Sequence, residues 1–223
     1  MLRNVHVSGT SDGLREALEE RLQRAGASLV EDPIDSEIKV GISQNENCDI
    51  AVIPFGSSAP KSRIVIELSD VIIPNGLRNW GNGTMIDWVK QIKSGEEPTI
   101  ESGKRFWVNV RDVTDAISSL CVNQQTSTLT GTFRMCGRRA WSSEDVIDEI
   151  RILWERYNNA INHTHTIQSL SEVPSPVRGI YSERVETPEL GGIHEALIAI
   201  GGEGWHPLIP MRTSLMEMIA HTD

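Results

Sequence analysis

The sequence predicts an α/β fold with a doubly wound parallel sheet, and two stretches of the chain carry this prediction. Residues 5–30 give a short strand, a glycine turn, an amphipathic helix and a second strand, which together form a βαβ unit with parallel strands. Residues 63–68 are almost continuously apolar, the pattern of a strand buried on both faces of a parallel sheet. We therefore expect the first strand to be central, with Gly9 at its carboxyl end.

The composition is that of an ordinary globular protein. The 223 residues are 39% hydrophobic and 23% charged, enough for one α/β domain or for one domain with a small lobe. The formal net charge of −10 disfavours a nucleic-acid partner, because an acidic surface repels phosphate backbones. No apolar run approaches the roughly 20 residues that span a bilayer, and the amino terminus has no signal-peptide pattern. With three widely spaced cysteines, we expect a cytoplasmic protein with reduced thiols and no membrane association.

Helices and strands alternate along the chain. The first helix places apolar residues on one face, at Leu14, Ala17, Leu18 and Leu22. Further strand patterns occupy residues 27–30, 49–55, 63–68, 104–110 and 131–136. Helical periodicity begins near Thr84, and Asp112 and Ser142 are placed to cap the two helices that follow. Residues 171–178 are rich in Ser and Pro, which predicts a loop.

Four segments, in order along the chain, carry a family resemblance. They are Ser8–Arg15, similar to a TGxxxGxG turn; Leu68–Gly76, similar to a strand ending in NVYGPG; Arg105–Val113, similar to RDFVYVDDV; and Gly204–Pro207, similar to LGWxP. In this order they resemble the extended short-chain dehydrogenase/reductase family, the NAD-dependent nucleotide-sugar epimerases and dehydratases. The third segment is the most specific, because Arg105 and Asp112 keep the family's seven-residue separation.

The resemblance implies a Rossmann-like fold with a reduced sheet. Residues 1–140 would form this sheet, with a central deletion relative to the family, and residues 141–223 would contain a small C-terminal lobe of the substrate-binding type; one single domain is the alternative. The resemblance also implies a nucleotide or nucleotide-sugar as ligand and NAD as cofactor. We expect no metal, because His163 and His165, on one face of a predicted strand, lack a third ligand nearby.

The cofactor residues that the resemblance implies are Gly9, Ser11 and Gly13 of the glycine turn. Arg15 stands where the family has its last glycine, so it either blocks the dinucleotide or neutralises a phosphate; a purely structural turn is the third interpretation.

A carboxylate pair follows the second strand. Glu31 and Asp32 lie about 20 residues past the turn, where a carboxylate binds the adenosine ribose hydroxyls and favours NAD over NADP. The alternative is a pair of solvated loop carboxylates.

The family's Tyr-x-x-x-Lys catalytic pair is missing from this sequence. Tyr157 is followed four positions later by Ile161, and Tyr181 by Val185. The stretch 56–62 is also too short to contain the helix that carries the pair. Because the family's paired helices at this place usually form its dimer interface, we expect a different oligomer or a monomer.

Two residues are weak candidates for an alternative acid or base, Ser58 and Asp70. Gly56-Ser57-Ser58 is either the remnant of the family's serine-bearing strand end or an earlier loop beside the cofactor. Neither interpretation restores the catalytic helix.

The substrate side of the resemblance rests on Arg105, Asp112 and Arg184. Guanidinium groups suit a diphosphate through bidentate hydrogen bonds, and a surface ion pair is the alternative for each arginine. The sequence therefore favours a protein that binds a nucleotide or nucleotide-sugar without redox catalysis of its own, and that partners or regulates a full-length relative. The alternatives are an active NAD-dependent enzyme that uses Ser58 or Asp70, and a scaffold without a ligand.

Overall fold

A six-stranded parallel sheet organises the molecule in the computed structural model, which describes residues 3–43, 48–164, 166–167 and 187–222. Its strands, in spatial order, are β2 (Ser28–Leu29), β1 (Asn4–Gly9), β3 (Ile38–Ile42), β4 (Ile50–Pro54), β5 (Ile64–Leu68) and β9 (Gly131–Met135). This confirms the predicted α/β class. β1 is interior but second from the edge rather than central, because only the two-residue β2 lies beyond it. Strand order reverses between β1 and β3, so Gly9 lies at the crevice where such sheets bind ligands.

Three helices pack on one face of this sheet. They are α1 (Leu14–Arg24), α3 (Val110–Val122) and α5 (Gly191–Ala199). The predicted apolar face of α1 is confirmed, since Leu14, Leu18 and Leu22 are fully buried in the core that these helices share with the strands. Gly26, with φ of 83°, follows α1 as expected.

The opposite face carries no helix among the described residues. The connection from β3 to β4 spans only residues 43–49, and that from β4 to β5 only residues 55–63, whereas parallel crossovers usually need a dozen or more residues. A small apolar cluster of Ala51, Ile53 and Val65 lies on this face, and Cys48 packs against it. Within the described residues, the sheet thus lacks one of the two helix layers of a doubly wound fold.

A second core lies beside the sheet. Its helices are α2 (Asn82–Ser94), α4 (Ser143–Ile161) and α6 (Met211–His221). Two short ladders accompany them: β6 (Val71–Ile72) pairs with β8 (Val108–Asn109), and β7 (Lys104–Arg105) pairs with β10 (Trp141–Ser142). The single strand predicted at 104–110 is therefore two strands. None of the described helices is long and apolar enough to span a bilayer.

The helix caps differ in part from the prediction. Ser142 caps α4 as expected, its hydroxyl accepting from the Asp145 amide at 3.1 Å. α3 is capped by Asn109, whose Oδ1 accepts from the Arg111 amide at 2.9 Å, so the prediction for Asp112 is wrong: α3 begins at Val110, which places Asp112 inside the helix.

Candidate functional site

The glycine turn follows β1 at the strand reversal. Gly9 has φ of 120°, and a Cβ there would lie 2.1 Å from the Ile42 carbonyl oxygen, so close packing of β1 against β3 requires glycine. Gly13 has φ of 89°, and a Cβ there would lie 2.6 Å from the Gly76 Cα. The turn is therefore packed directly against the chain that follows β6.

The amides at the start of α1 donate to two carboxylates, one in the turn and one in the helix. Oδ1 of the fully buried Asp12 accepts from the amides of Leu14 at 3.1 Å and Arg15 at 3.4 Å. Oε2 of Glu16 accepts from the Gly13 amide at 2.6 Å, and the Ser11 hydroxyl donates to Oε1. Burial alone would raise the pKa of Glu16, but the bonds from Ser11 and the backbone amides hold this pKa below its usual range.

Arg15 lies across the same turn. Its Nη1 donates to the Gly9 carbonyl at 2.8 Å, and its Nε pairs with Glu19 Oε1 at 2.8 Å. The turn thus presents occupied amides and two carboxylates where the resemblance implies a pyrophosphate, so its residues do not fit that group.

The carboxylates predicted to bind a ribose are exposed. Asp32 Oδ1 accepts from the Ile34 amide at 2.8 Å and caps the 3₁₀ turn Pro33–Asp35. Glu31 is exposed beside it. Their role with NAD stays a prediction.

Asp70 and Arg105, predicted separately, form an ion pair. Asp70 follows β5 with φ of 57°; its Oδ1 accepts from Arg105 Nε at 2.8 Å and its Oδ2 from the Phe106 amide at 2.9 Å. The guanidinium also donates to Glu101 at 3.3 Å and stacks on Trp107 at 4.2 Å. Arg105 therefore connects β7 to Asp70 at the end of β5, and its guanidinium packs against Trp107.

The other predicted residues are dispersed. Ser58 is exposed in the loop after β4. Arg184 and His165 lie outside the described residues. His163 lies in a turn after α4 rather than on the predicted strand, because α4 continues to Ile161. The described residues contain no cluster of three side chains that could hold a metal.

Asp112 fastens the segment before α6 to α3. Its carboxylate accepts from the amides of Leu208 at 2.8 Å and Ile209 at 3.3 Å. Burial raises the pKa of Asp112, although these two bonds lower it in part.

A cleft of about 360 Å³ opens beside Asp112, between the carboxyl ends of β8 and β9 and the segment before α6. Its polar and aromatic lining includes Trp107, Asn109, Arg138, Arg139, Trp141, Glu149 and Arg212. Pro207 and Pro210 contribute to its wall. The cleft lies beyond the carboxyl edge of a parallel sheet, which is the usual ligand position in this architecture.

Two cations of this cleft have no carboxylate within 4 Å in the described part of the chain, Arg138 and Arg139, and both are exposed. The Arg139 guanidinium lies 4.2 Å from the Trp141 ring centroid. Arg138 Nη1 lies 3.1 Å from His206 Nδ1, and because a guanidinium only donates, His206 accepts through Nδ1. Arg212 differs, since its Nε pairs with the buried Glu149 at 2.7 Å.

The residues predicted from the sequence do not include Arg138, Arg139 or Trp141. A signal was present, because the two arginines follow the predicted strand 131–136 at its carboxyl end. Their lack of carboxylate partners depends on the fold and is not visible in the sequence.

Comparison with known proteins supports the fold. No protein-family model matches the chain, and no curated protein matches it in sequence. Among solved structures, RMD from Pseudomonas aeruginosa complexed with NADPH is 12% identical with a TM-score of 0.60, covering 99% of this chain and 97% of that chain. WbmF from Bordetella bronchiseptica in complex with NAD⁺ and UDP is 12% identical with a TM-score of 0.58, covering 99% and 92%. UDP-N-acetylglucosamine 4-epimerase from Bacillus cereus is 10% identical with a TM-score of 0.58, covering 98% of each chain. At these identities the likeness establishes a shared Rossmann-like fold.

Proposed function

We propose that this chain is a relative of the NAD-dependent nucleotide-sugar epimerases and dehydratases that binds a nucleoside diphosphate or nucleotide-sugar in the cleft described above and performs no redox catalysis of its own. The observation that carries the proposal is the pair of cleft arginines, Arg138 and Arg139, which lack carboxylate partners within the described residues. Arg139 stacks on Trp141, and Arg138 contacts His206. One structural neighbour, WbmF, is described in complex with UDP, a ligand of this class.

The ligand class follows from the chemistry of the lining. Guanidinium groups form charge-assisted, bidentate hydrogen bonds with phosphate oxygens. Aromatic faces such as those of Trp107 and Trp141 provide stacking surfaces for a base or apolar surfaces for a sugar. The cleft volume of about 360 Å³ lies within the range of small-molecule sites. The chain as a whole has a net charge of −10, so the positive charge of Arg138 and Arg139 stands out against it. This local positive charge favours an anionic ligand.

The absence of redox catalysis rests on the sequence and on the site. No tyrosine of this sequence has a lysine four positions later. Of the two weak candidates for a replacement, Asp70 is held by Arg105 and the Phe106 amide, and Ser58 is on an exposed loop. General acid–base assistance is typically worth about 10²–10⁴-fold in rate, so we expect turnover near background. A cytoplasmic location and a partnership with a full-length relative remain predictions of the sequence.

Arg105 has a supporting role in this proposal. Its guanidinium is engaged with Asp70 and stacks on Trp107, which lines the cleft. Direct contact between Arg105 and a diphosphate, as the resemblance implies, would require exchange of the Asp70 contact. Arg138 and Arg139 need no such exchange.

Titration calorimetry with UDP tests the proposal. Replacing both arginines, Arg138→Ala with Arg139→Ala, should weaken UDP binding by at least about tenfold, since hydrogen bonds to charged groups contribute about 1.5–3 kcal/mol. The matched control is Arg21→Ala with Arg24→Ala, which removes the same charge from α1, none of whose residues lines the cleft, and should leave affinity unchanged. Equal affinities for both double variants, or no UDP binding to the wild type, would contradict the proposal. Robust NAD-dependent turnover of UDP-sugars would contradict its non-catalytic part.

A further inference from the structure

We infer that the glycine turn of this chain is closed to dinucleotides, because the carboxylates of Asp12 in the turn and Glu16 in α1 occupy the amides that a pyrophosphate would use. The inference is independent of the proposed cleft, which lies on other residues. Instead of binding a dinucleotide, the turn fastens α1 to the segment 73–80.

The amide donors at the start of α1 are already occupied. In a dinucleotide-binding turn, the amides at the start of the helix donate to the pyrophosphate. Here the Gly13 amide donates to Glu16, and the amides of Leu14 and Arg15 donate to Asp12. Each amide has one proton, so a bound pyrophosphate would have to displace both carboxylates.

Asp12 is buried and is also held by bonds to the segment 73–80. The residue is fully buried, and its Oδ2 accepts from the Trp80 indole Nε1 at 2.7 Å. Its backbone carbonyl accepts from the Leu77 amide at 3.2 Å. Displacing the carboxylate would leave a buried charge without its donors, at a substantial free-energy cost.

The site where a pyrophosphate would bind already carries negative charge. Asp12 and Glu16 place two carboxylates at the amino-terminal end of α1, where the helix dipole would otherwise favour a phosphate. Arg15 does not offset them for a ligand, since its guanidinium donates to the Gly9 carbonyl and pairs with Glu19. The carboxylates thus take the electrostatic place of the pyrophosphate itself.

Amide hydrogen exchange on the full-length protein tests the donors without any ligand. We expect slowed exchange at Gly13, Leu14 and Arg15 in the wild type. Glu16→Ala should speed exchange at Gly13 by about tenfold or more, the factor for a charge-assisted hydrogen bond. The matched control Glu20→Ala, on the same helix, should leave Gly13 unchanged. Unprotected amides at all three positions in the wild type would overturn the inference.

Titration with NAD⁺ supplies the second arm. We expect no saturable binding of NAD⁺ at the turn, and therefore either no binding at all or binding that disappears when Arg138 and Arg139 are replaced by alanine. Saturable NAD⁺ binding that survives this double replacement would place the dinucleotide away from the cleft and overturn the inference. Because UDP tests the cleft separately, failure of the proposed function and failure of this inference are distinguishable.

Discussion

The hydrogen bond between Trp80 and Asp12 provides a quantitative prediction. Trp80 is 5% exposed and its indole Nε1 donates to the fully buried Asp12 carboxylate at 2.7 Å. Trp80→Phe removes this donor while keeping an aromatic ring. A hydrogen bond to a charged group contributes about 1.5–3 kcal/mol, so the free energy of unfolding should fall by about that amount. For a protein of this size, this corresponds to a decrease in Tm of about 3–12 °C.

A second tryptophan supplies the matched control. Trp88 is 2% exposed, and its Nε1 donates to the neutral Thr99 carbonyl at 2.8 Å. Trp88→Phe makes the same change in side-chain size but removes a bond worth only about 0.5–1.5 kcal/mol. Urea unfolding of both variants gives the comparison, and a double-mutant cycle with Asp12→Asn isolates the Trp80 contact. Equal losses for the two variants, together with a coupling energy near zero, would refute the assignment of Asp12 as the charged acceptor that fastens segment 73–80.

Three further predictions concern stability. Arg105→Ala should lower the free energy of unfolding by about 1.5–3 kcal/mol in urea unfolding, because it leaves Asp70, whose side chain is only 14% exposed, without its guanidinium partner. An unchanged free energy of unfolding would contradict this role. The pKa shifts predict opposite pH trends. Burial raises the pKa of Asp112 above its ordinary value of 3.8, so its share of stability is full below that pH and is lost as pH rises through the folded value. Asp112→Asn should therefore gain stability relative to the wild type as pH rises above 3.8. Glu16 has a lowered pKa, so its contribution to stability is present above pH 4.5 and is lost as pH falls. Glu16→Gln should therefore slightly reduce the loss of stability at acid pH. If both variants follow the wild-type dependence of unfolding free energy on pH, the assignments for Asp112 and Glu16 are contradicted.

The sequence was sufficient for the elements that depend on local pattern. The periodicity of α1 and the apolar run of β5 each follow from neighbouring residues, and so the parallel sheet and its first helix were predicted correctly. The cap of α3 was misplaced, because Asn109 and Asp112 are both good caps and only the structure fixes where the helix begins.

The site was harder to predict, because its logic lies in contacts between distant residues. Asp70 and Arg105 are 35 positions apart, and Asp12 and Trp80 are 68 apart. A pattern in the sequence indicates that a residue can bind a phosphate, but not that a carboxylate already occupies its donors. The same reason hid Arg138 and Arg139, whose importance comes from having no such partner among the described residues.

The one-sided helix cover of the sheet has a practical consequence for experimental design. Along β1 the helix-facing positions Val5 and Val7 are buried, whereas His6 and Ser8 point to the other face and are partly exposed. On β9, Thr132 is exposed on the same side. Spectroscopic probes can therefore be attached at Thr132 on the edge strand β9, on a face of the sheet that a second helix layer normally covers, and they would report on the sheet without disturbing either core.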